Sequence, residues 1–313
     1  MVMDRVLVTG ANGFIGSALT PYLAEKGFDV YALERYVSNR YNIPSHRKIK
    51  TVFADLTDYV SVDGLVRQIK PEFVVHLAAL SAVSVSYDRW QEVLEINFNA
   101  TANLAECLRR HDPNLKQFVY AGTSECYGNQ KVFPIKETAE YNPNSPYAVS
   151  KVAAVSYLKY MWSAYEFPVT ILFPFNSYGR ISCQHFVIEK IISQMLTGKT
   201  IYLGDPNPIR DLLYIDDHVK GYASVLGDVE VLGESFNICT GKGMSISEVV
   251  DKLREITGFD GEVVWDTIPK RPLDIMKLVG ENTKARNLLC WEPKVDLISG
   301  LEKTVNLLKV NGK

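Results

Sequence analysis

Short apolar runs alternate with helical patterns through the first 175 residues of this chain. Arg5-Val-Leu-Val-Thr9 reads as a strand, and a helical pattern follows to about Lys26. Further strands are predicted at Asp29–Leu33, Thr51–Ala54, Phe73–Leu77, Lys116–Ala121 and Val169–Phe173. Long helices are predicted at about Trp90–Arg110 and from Tyr147 to about residue 165. This alternation predicts an α/β fold, a doubly wound parallel sheet covered on both faces. Ligands then sit outside the carboxyl ends of the strands.

Beyond residue 175 the pattern loosens. A helix is expected at about His185–Leu196, a strand at Ile201–Leu203, and helices near 216–226, 245–257 and 297–309. The expected division is 1–175 for the sheet domain, with a return near 212–240, and 176–313 mainly for a smaller lobe. Repeats, low-complexity tracts and flexible linkers are not discernible.

Bulk properties narrow the class. The 313 residues, 47% hydrophobic and 22% charged, are those of a globular protein with a sizeable core. A net charge of −2 makes no case for nucleic acid or an anionic membrane as partner. The five cysteines (Cys107, Cys126, Cys183, Cys239, Cys290) are scattered and never in C-x-x-C spacing. That implies a reduced, cytoplasmic setting without zinc or a disulfide framework, so no metal is expected. The early first strand leaves no room for a signal peptide, and no apolar run approaches the roughly 18 residues of a membrane span.

Candidate chemistry gathers at strand ends. Gly10-Ala-Asn12-Gly13-Phe14-Ile15-Gly16 joins the first strand to the first helix. Its glycines allow a tight turn and close approach to a pyrophosphate, and the helix start supplies N–H donors. The spacing is G-x-x-G-x-x-G, and an ordinary glycine-rich turn is the alternative. Glu34 ends the second strand, where an acid can bind adenosine ribose hydroxyls and favour NAD; Arg35 beside it keeps NADP open. Asp55-Leu56 suits an adenine amino group, and the small residues of Leu77-Ala78-Ala79 let backbone approach a cofactor. His76 reads as a packed strand-end histidine.

Tyr147 and Lys151 lie four apart behind Pro146, which opens a helix and puts them one turn apart on one face. An ammonium beside a phenol favours phenolate and lowers its pKa toward working pH. The spacing also occurs at Tyr22/Lys26 and Tyr127/Lys131, the second interrupted by Gly128. Thr123 and Glu125 add a hydroxyl and a carboxylate just upstream.

These segments together resemble the extended short-chain dehydrogenase/reductases that act on nucleotide sugars. The resemblance covers nearly the whole chain: TGANGFIG (9–16), DL (55–56), HLAA (76–79), TSECYG (123–128), SPYAVSK (145–151), FPFNSYGR (173–180), RDLLYIDD (210–217) and RPLD (271–274). It implies a Rossmann-type domain carrying NAD, with Tyr147, Lys151 and Pro174 also at the cofactor, and a nucleotide-diphosphate sugar as substrate. Thr123, Tyr147 and Lys151 match the catalytic Ser/Thr–Tyr–Lys set. Glu125, where epimerases usually have a small or neutral residue, is as in 4,6-dehydratases and UDP-glucuronate decarboxylases. SAVSVSYDRW (81–90) and NSYGRISCQHFVIEKIISQ (176–194) resemble GDP-mannose and retaining UDP-N-acetylglucosamine 4,6-dehydratases. Ser124 stands where some dehydratases have an Asp, as in the GDP-mannose type, leaving Glu125 as both base and acid. The resemblance further implies substrate contacts at Ser81, Ser124, Asn176, Arg210 and Arg271. It also implies a homodimer formed through the helices near 90–110 and 147–165. Val155, Leu158, Met161 and Trp162 fit that buried face or an intramolecular core. The leading expectation is a nucleotide-sugar 4,6-dehydratase, with a 4-epimerase, a decarboxylase or a 4-ketoreductase on the same scaffold as alternatives, and a dinucleotide sensor as the non-enzyme alternative.

Overall fold

The structure is a computed structural model describing residues 4–35, 43–181, 186–269 and 271–311, so Cys183 and the expected helix start at His185 lie outside the described residues. In chain order the strands are β1 (Arg5–Thr9), β2 (Asp29–Glu34), β3 (Ile49–Phe53), β4 (Phe73–His76), β5 (Gln117–Ala121), β6 (Val169–Pro174), β7 (Asn176–Tyr178), β8 (Thr200–Tyr202), β9 (Ile209–Tyr214), β10 (Ser235–Ile238), β11 (Gly243–Ser245), β12 (Glu262–Val264) and β13 (Lys277–Leu278). The helices are α1 (Phe14–Lys26), α2 (Tyr59–Ile69), α3 (Val83–Ser86), α4 (Trp90–Leu94), α5 (Ala100–His111), α6 (Pro146–Tyr165), α7 (Val187–Thr197), α8 (Ile215–Val225), α9 (Ile246–Thr257), α10 (Thr283–Leu289) and α11 (Leu297–Asn311).

Seven strands form one sheet in the order β10-β6-β5-β4-β1-β2-β3, every pairing parallel. Sequence order reverses between β1 and β4, whose last residues Thr9 and His76 are in register. That reversal opens the crevice in which a doubly wound sheet binds ligands. All four residues of β4 are buried, as expected for a strand covered on both faces. Two hydrophobic clusters fill the layers, one including Val6, Val8 and Leu172, the other Leu7, Phe118 and Ile171. Neighbouring residues of one strand thus serve opposite cores.

Local signals set the helix ends. Asp58 caps α2, accepting from the Val60 N–H at 3.1 Å. Ser145 caps α6 by accepting from the Ala148 N–H at 3.1 Å; Pro146 follows, where its missing N–H costs nothing. On α6, Val155, Leu158 and Met161 are fully buried within this one chain, and Trp162 packs against the same cluster. The expected long helix from Trp90 is interrupted by a π turn at Glu95–Asn99 between α4 and α5. The second half builds a four-stranded sheet around β9, which pairs with β7, β11 and β13, and a separate β8–β12 pair. The chain returns to the main sheet through α8, packed on α1, and β10, the outermost strand beside β6.

Candidate active site

A cavity of about 840 Å³ opens at the carboxyl ends of the strands. Gly10, Asn12, Gly13, Phe14, Ile15 and Gly16 line it after β1, and Glu34 and Arg35 after β2. Asp55 and Leu56 follow β3; Leu77, Ala78, Ala79 and Ser81 follow β4. Thr123, Ser124 and Glu125 follow β5; Tyr147 and Lys151 project from α6; Pro174 and Asn176 come from the end of β6 and the start of β7. Arg210 and Arg271 do not line it. The partly buried Arg210 donates from Nη1 to its neighbour Ile209 O at 3.1 Å, and Arg271 is exposed. Both cations still pull down the Glu125 pKa, so their charge reaches the site. The other two Tyr-x-x-x-Lys pairs stay outside the cavity: Lys26 lies over the Tyr22 ring, and Tyr127 is buried on Asn237 at 2.8 Å.

At Gly10 and Gly16 backbone packs so closely that a side chain is excluded. Gly10 has φ +64°, and a Cβ there would lie 2.9 Å from Ala78 N; one on Gly16 would lie 2.2 Å from Gly10 O. The Thr9 hydroxyl accepts from the Leu77 and Ala78 N–H groups, each at 3.1 Å. Its own proton goes to His76 Nδ1 at 2.7 Å. His76 Nε2–H then donates to Thr101 Oγ1 at 2.9 Å, and Thr101 donates to Asn97 O at 2.8 Å. Each group in this relay has its proton assigned by its neighbours. Burial, and secondarily Lys151, pushes the His76 pKa down to about 3, so the ring is neutral and structural. Glu34 accepts from Asn12 Nδ2 at 3.3 Å, and burial raises its pKa. Asp55 is oriented by Thr57, which donates to it from N at 2.9 Å and Oγ1 at 2.7 Å; these bonds lower its pKa.

At the other end, Ser124–Cys126 form a short 3₁₀ turn capped by Thr123, whose hydroxyl accepts from Glu125 N–H at 3.3 Å. Burial raises the Glu125 pKa against the pull of Arg210 and then Arg271. Lys151 is 3% exposed, and burial lowers its pKa to about 8. Tyr147 departs from the expectation. Burial pushes its phenol above the ordinary value, and the nearby Thr123 hydroxyl only partly opposes this. The reason is the phenol's own dehydration, which disfavours the charged phenolate.

The family model described as GDP-mannose 4,6 dehydratase matches residues 7–304. The chain belongs to that family. It is 32% identical over 314 residues to a UDP-glucose 4-epimerase of Mycolicibacterium smegmatis, covering 97% of this chain and 98% of that protein. It is 30% identical over 320 residues to the dTDP-D-glucose 4,6-dehydratase of Homo sapiens, covering 98% and 90%. The solved Thermus thermophilus UDP-glucose 4-epimerase in complex with NAD superposes with a TM-score of 0.89 at 30% identity, covering 97% of this chain and 99% of that one.

Within this family fold, several cavity-side residues escaped the sequence reading. Asn97, fully buried in the π turn, accepts from Leu80 N–H at 2.8 Å and donates to Ser150 Oγ at 2.9 Å, tying the loop after β4 to α6. The Arg180 guanidinium lies 4.0 Å from the Phe14 ring centre and 3.6 Å from that of Phe186. Arg180, Phe186, His218 and Tyr222 all line the cavity. Arg180 stands inside a motif already noted; His218 follows one by a single residue; Asn97 carried no local signal.

Proposed function

We propose that this protein is a nucleotide-sugar 4,6-dehydratase that keeps NAD bound through an internal redox cycle. One observation carries the reading: the Glu125 carboxyl lines the same cavity as Tyr147 and Lys151, with a pKa raised by burial. A carboxyl whose pKa burial has raised is better suited than an ordinary one to take a proton and give it back. A 4-epimerase has no elimination step for such a group to serve.

The residues fit a dinucleotide. Gly10 and Gly16 leave no room for side chains of their own beside the α1 start, and Glu34 stands where ribose hydroxyls would need an acceptor and a 2′-phosphate would be repelled. When bound, NAD would accept hydride from C4 of the sugar and return it to C6. Tyr147 would take the C4 hydroxyl proton, with Lys151 holding the phenolate and the nicotinamide ribose, and Thr123 hydrogen-bonding O4. The C4 ketone acidifies the C5 hydrogen, which Glu125 would remove and then pass on as water departs from C6. Ser124 lacks the acidity to share that task. Asn176 and Ser81 would meet the sugar diphosphate, and Arg210 and Arg271 its nucleotide end, where guanidinium forks suit phosphate oxygens. A cytoplasmic homodimer is the assembly proposed. The half-exposed Trp90, Val149 and Tyr160 on α4 and α6 support pairing of those helices, and sedimentation at micromolar concentration tests it.

The second reading is a 4-epimerase, favoured by the Mycolicibacterium smegmatis relative. Incubation with GDP-, UDP-, dTDP- and CDP-sugars followed by mass analysis decides. Loss of water supports the dehydratase; an unchanged mass with a new epimer supports the epimerase. Loss of carbon dioxide would mark a decarboxylase, and consumption of NAD(P)H a ketoreductase. Failure to turn over any of these sugars would overturn the enzyme reading.

A further inference from the structure

Two buried histidines border or approach the cavity, and they differ in one respect. His76 has both ring nitrogens bonded, at 2.7 and 2.9 Å. His218, 3% exposed, has one: Nδ1 lies 2.7 Å from Ser177 Oγ, while Nε2 is buried without a hydrogen-bond partner among the described residues. A buried polar atom left unpaired costs stability, and on a side chain that lines the cavity it is a place for a ligand to restore the bond.

Ser177 fixes which proton the ring carries. Its hydroxyl donates to Phe175 O at 3.2 Å, so the short contact to His218 has imidazole Nδ1–H as the donor. Nε2 therefore offers a lone pair and no proton. Burial, aided by the Arg180 charge, pushes the ring pKa down to about 3, so the lone pair persists at neutral pH. The ring is held flat against Tyr222, 5.2 Å between centroids at 25°. Tyr222 lies within the electrostatic reach of Tyr147. His218 thus belongs to the part of the cavity that Tyr147 lines.

A ligand satisfying Nε2 must bring an N–H or O–H donor to that part of the cavity. We propose that His218 Nε2 accepts a hydrogen bond from the carboxamide N–H of the nicotinamide, with Ser177 and Tyr222 fixing the imidazole for that contact. The inference rests on the dinucleotide reading above. It gives the ring end of the cofactor a polar anchor separate from the Tyr147–Lys151 pair, one that selects its rotation about the glycosidic bond.

The test compares binding of NAD⁺ with that of its 3-acetylpyridine analogue, whose methyl ketone keeps the oxygen and lacks the N–H. Calorimetry on the full chain freed of cofactor gives the preference as a ratio within each protein, so partial destabilisation cancels. The parent is expected to favour NAD⁺ by about tenfold, the worth of one hydrogen bond, and His218→Leu by about onefold. Ser177→Ala, which releases the tautomer, is expected to reduce the preference too, and stands alone if His218→Leu does not fold. An unchanged preference in these variants overturns the proposal. Intact preference with weakened sugar binding in His218→Leu also overturns it, assigning the donor to a sugar hydroxyl. A parent that binds neither dinucleotide instead removes the cofactor reading itself.

Discussion

The Lys151 ammonium lies 4.3 Å from the centre of the fully buried Tyr120 ring. A ring face attracts a cation without neutralising it, and burial still lowers the Lys151 pKa from 10.5 to about 8. Below pH 8 folding must therefore dehydrate an ammonium, and the penalty is relieved between pH 8 and 10.5, where the unfolded chain binds the extra proton. Lys151→Met is expected to be more stable than the parent at pH 7 by about 1–3 kcal/mol, while turnover falls by about 10²–10⁴. Urea unfolding should show that advantage shrinking as pH rises from 8 to 10.5. A less stable variant at pH 7 would contradict the balance drawn here.

Glu125→Gln separates elimination from the redox steps. The amide keeps size and hydrogen bonding but cannot accept the C5 proton. Formation of the dehydrated product is expected to fall by about 10²–10⁴, while transient reduction of bound NAD, followed at the NADH absorbance, persists on mixing with substrate. Because burial raises the Glu125 pKa, the acid limb of the parent's rate profile should lie above the ordinary carboxylate range. Equal product yield from the variant would assign the proton to another group.

Stability in acid should register His76. Its pKa falls from 6.5 to about 3 on folding, so between those values the unfolded state holds the extra proton. Its contribution is present above pH 6.5 and lost as pH falls toward 3, by about 1.4 kcal/mol per unit. Asp211 runs the other way: burial raises it from 3.8 to about 6, so its contribution is lost as pH rises across that window. A single curve mixes the two, and the difference between proteins isolates one. His76→Gln is expected to start weaker at pH 7, through broken bonds to Thr9 and Thr101, yet to lose stability in acid with a slope about one proton smaller. Parallel curves would mean that His76 titrates normally.

Residues close in sequence at strand ends were legible because short-range geometry carries them. Gly10–Gly16 must turn tightly after an apolar run, and Tyr147 and Lys151 share a face once Pro146 and Ser145 start α6. Strand ends were less sharp: the run drawn as Thr51–Ala54 is Ile49–Phe53, and β4 stops at His76. The helix α2 was not foreseen, since Gly64 and its valines weaken helix propensity and only the packing of Val62, Leu65, Val66 and Ile69 holds it. His218 and Tyr222 were hidden although the helix near 216–226 and the return near 212–240 were expected, because no local motif says which face of α8 meets the cavity. The Tyr147 pKa depends on dehydration, a property of packing and not of spacing.

Two glycines should respond oppositely to the same added methyl. At Gly16 a Cβ would meet Gly10 O at 2.2 Å and Ala11 Cα at 2.7 Å, both backbone, so relief requires the glycine turn to open. At Gly64, exposed in the interior of α2, a Cβ would meet nothing within 4 Å. Gly64→Ala should therefore stabilise by about 0.5–1 kcal/mol, the ordinary gain from removing backbone freedom in a helix, without altering dinucleotide binding. Gly16→Ala should destabilise by about 1–3 kcal/mol, the usual range for overpacking, and weaken NAD binding by displacing the α1 start from its contact with Gly10. Thermal unfolding with and without NAD measures both terms at once. The cofactor-induced rise in Tm should persist in Gly64→Ala and shrink or vanish in Gly16→Ala. A full rise in the latter would mean that close packing of the turn serves stability alone.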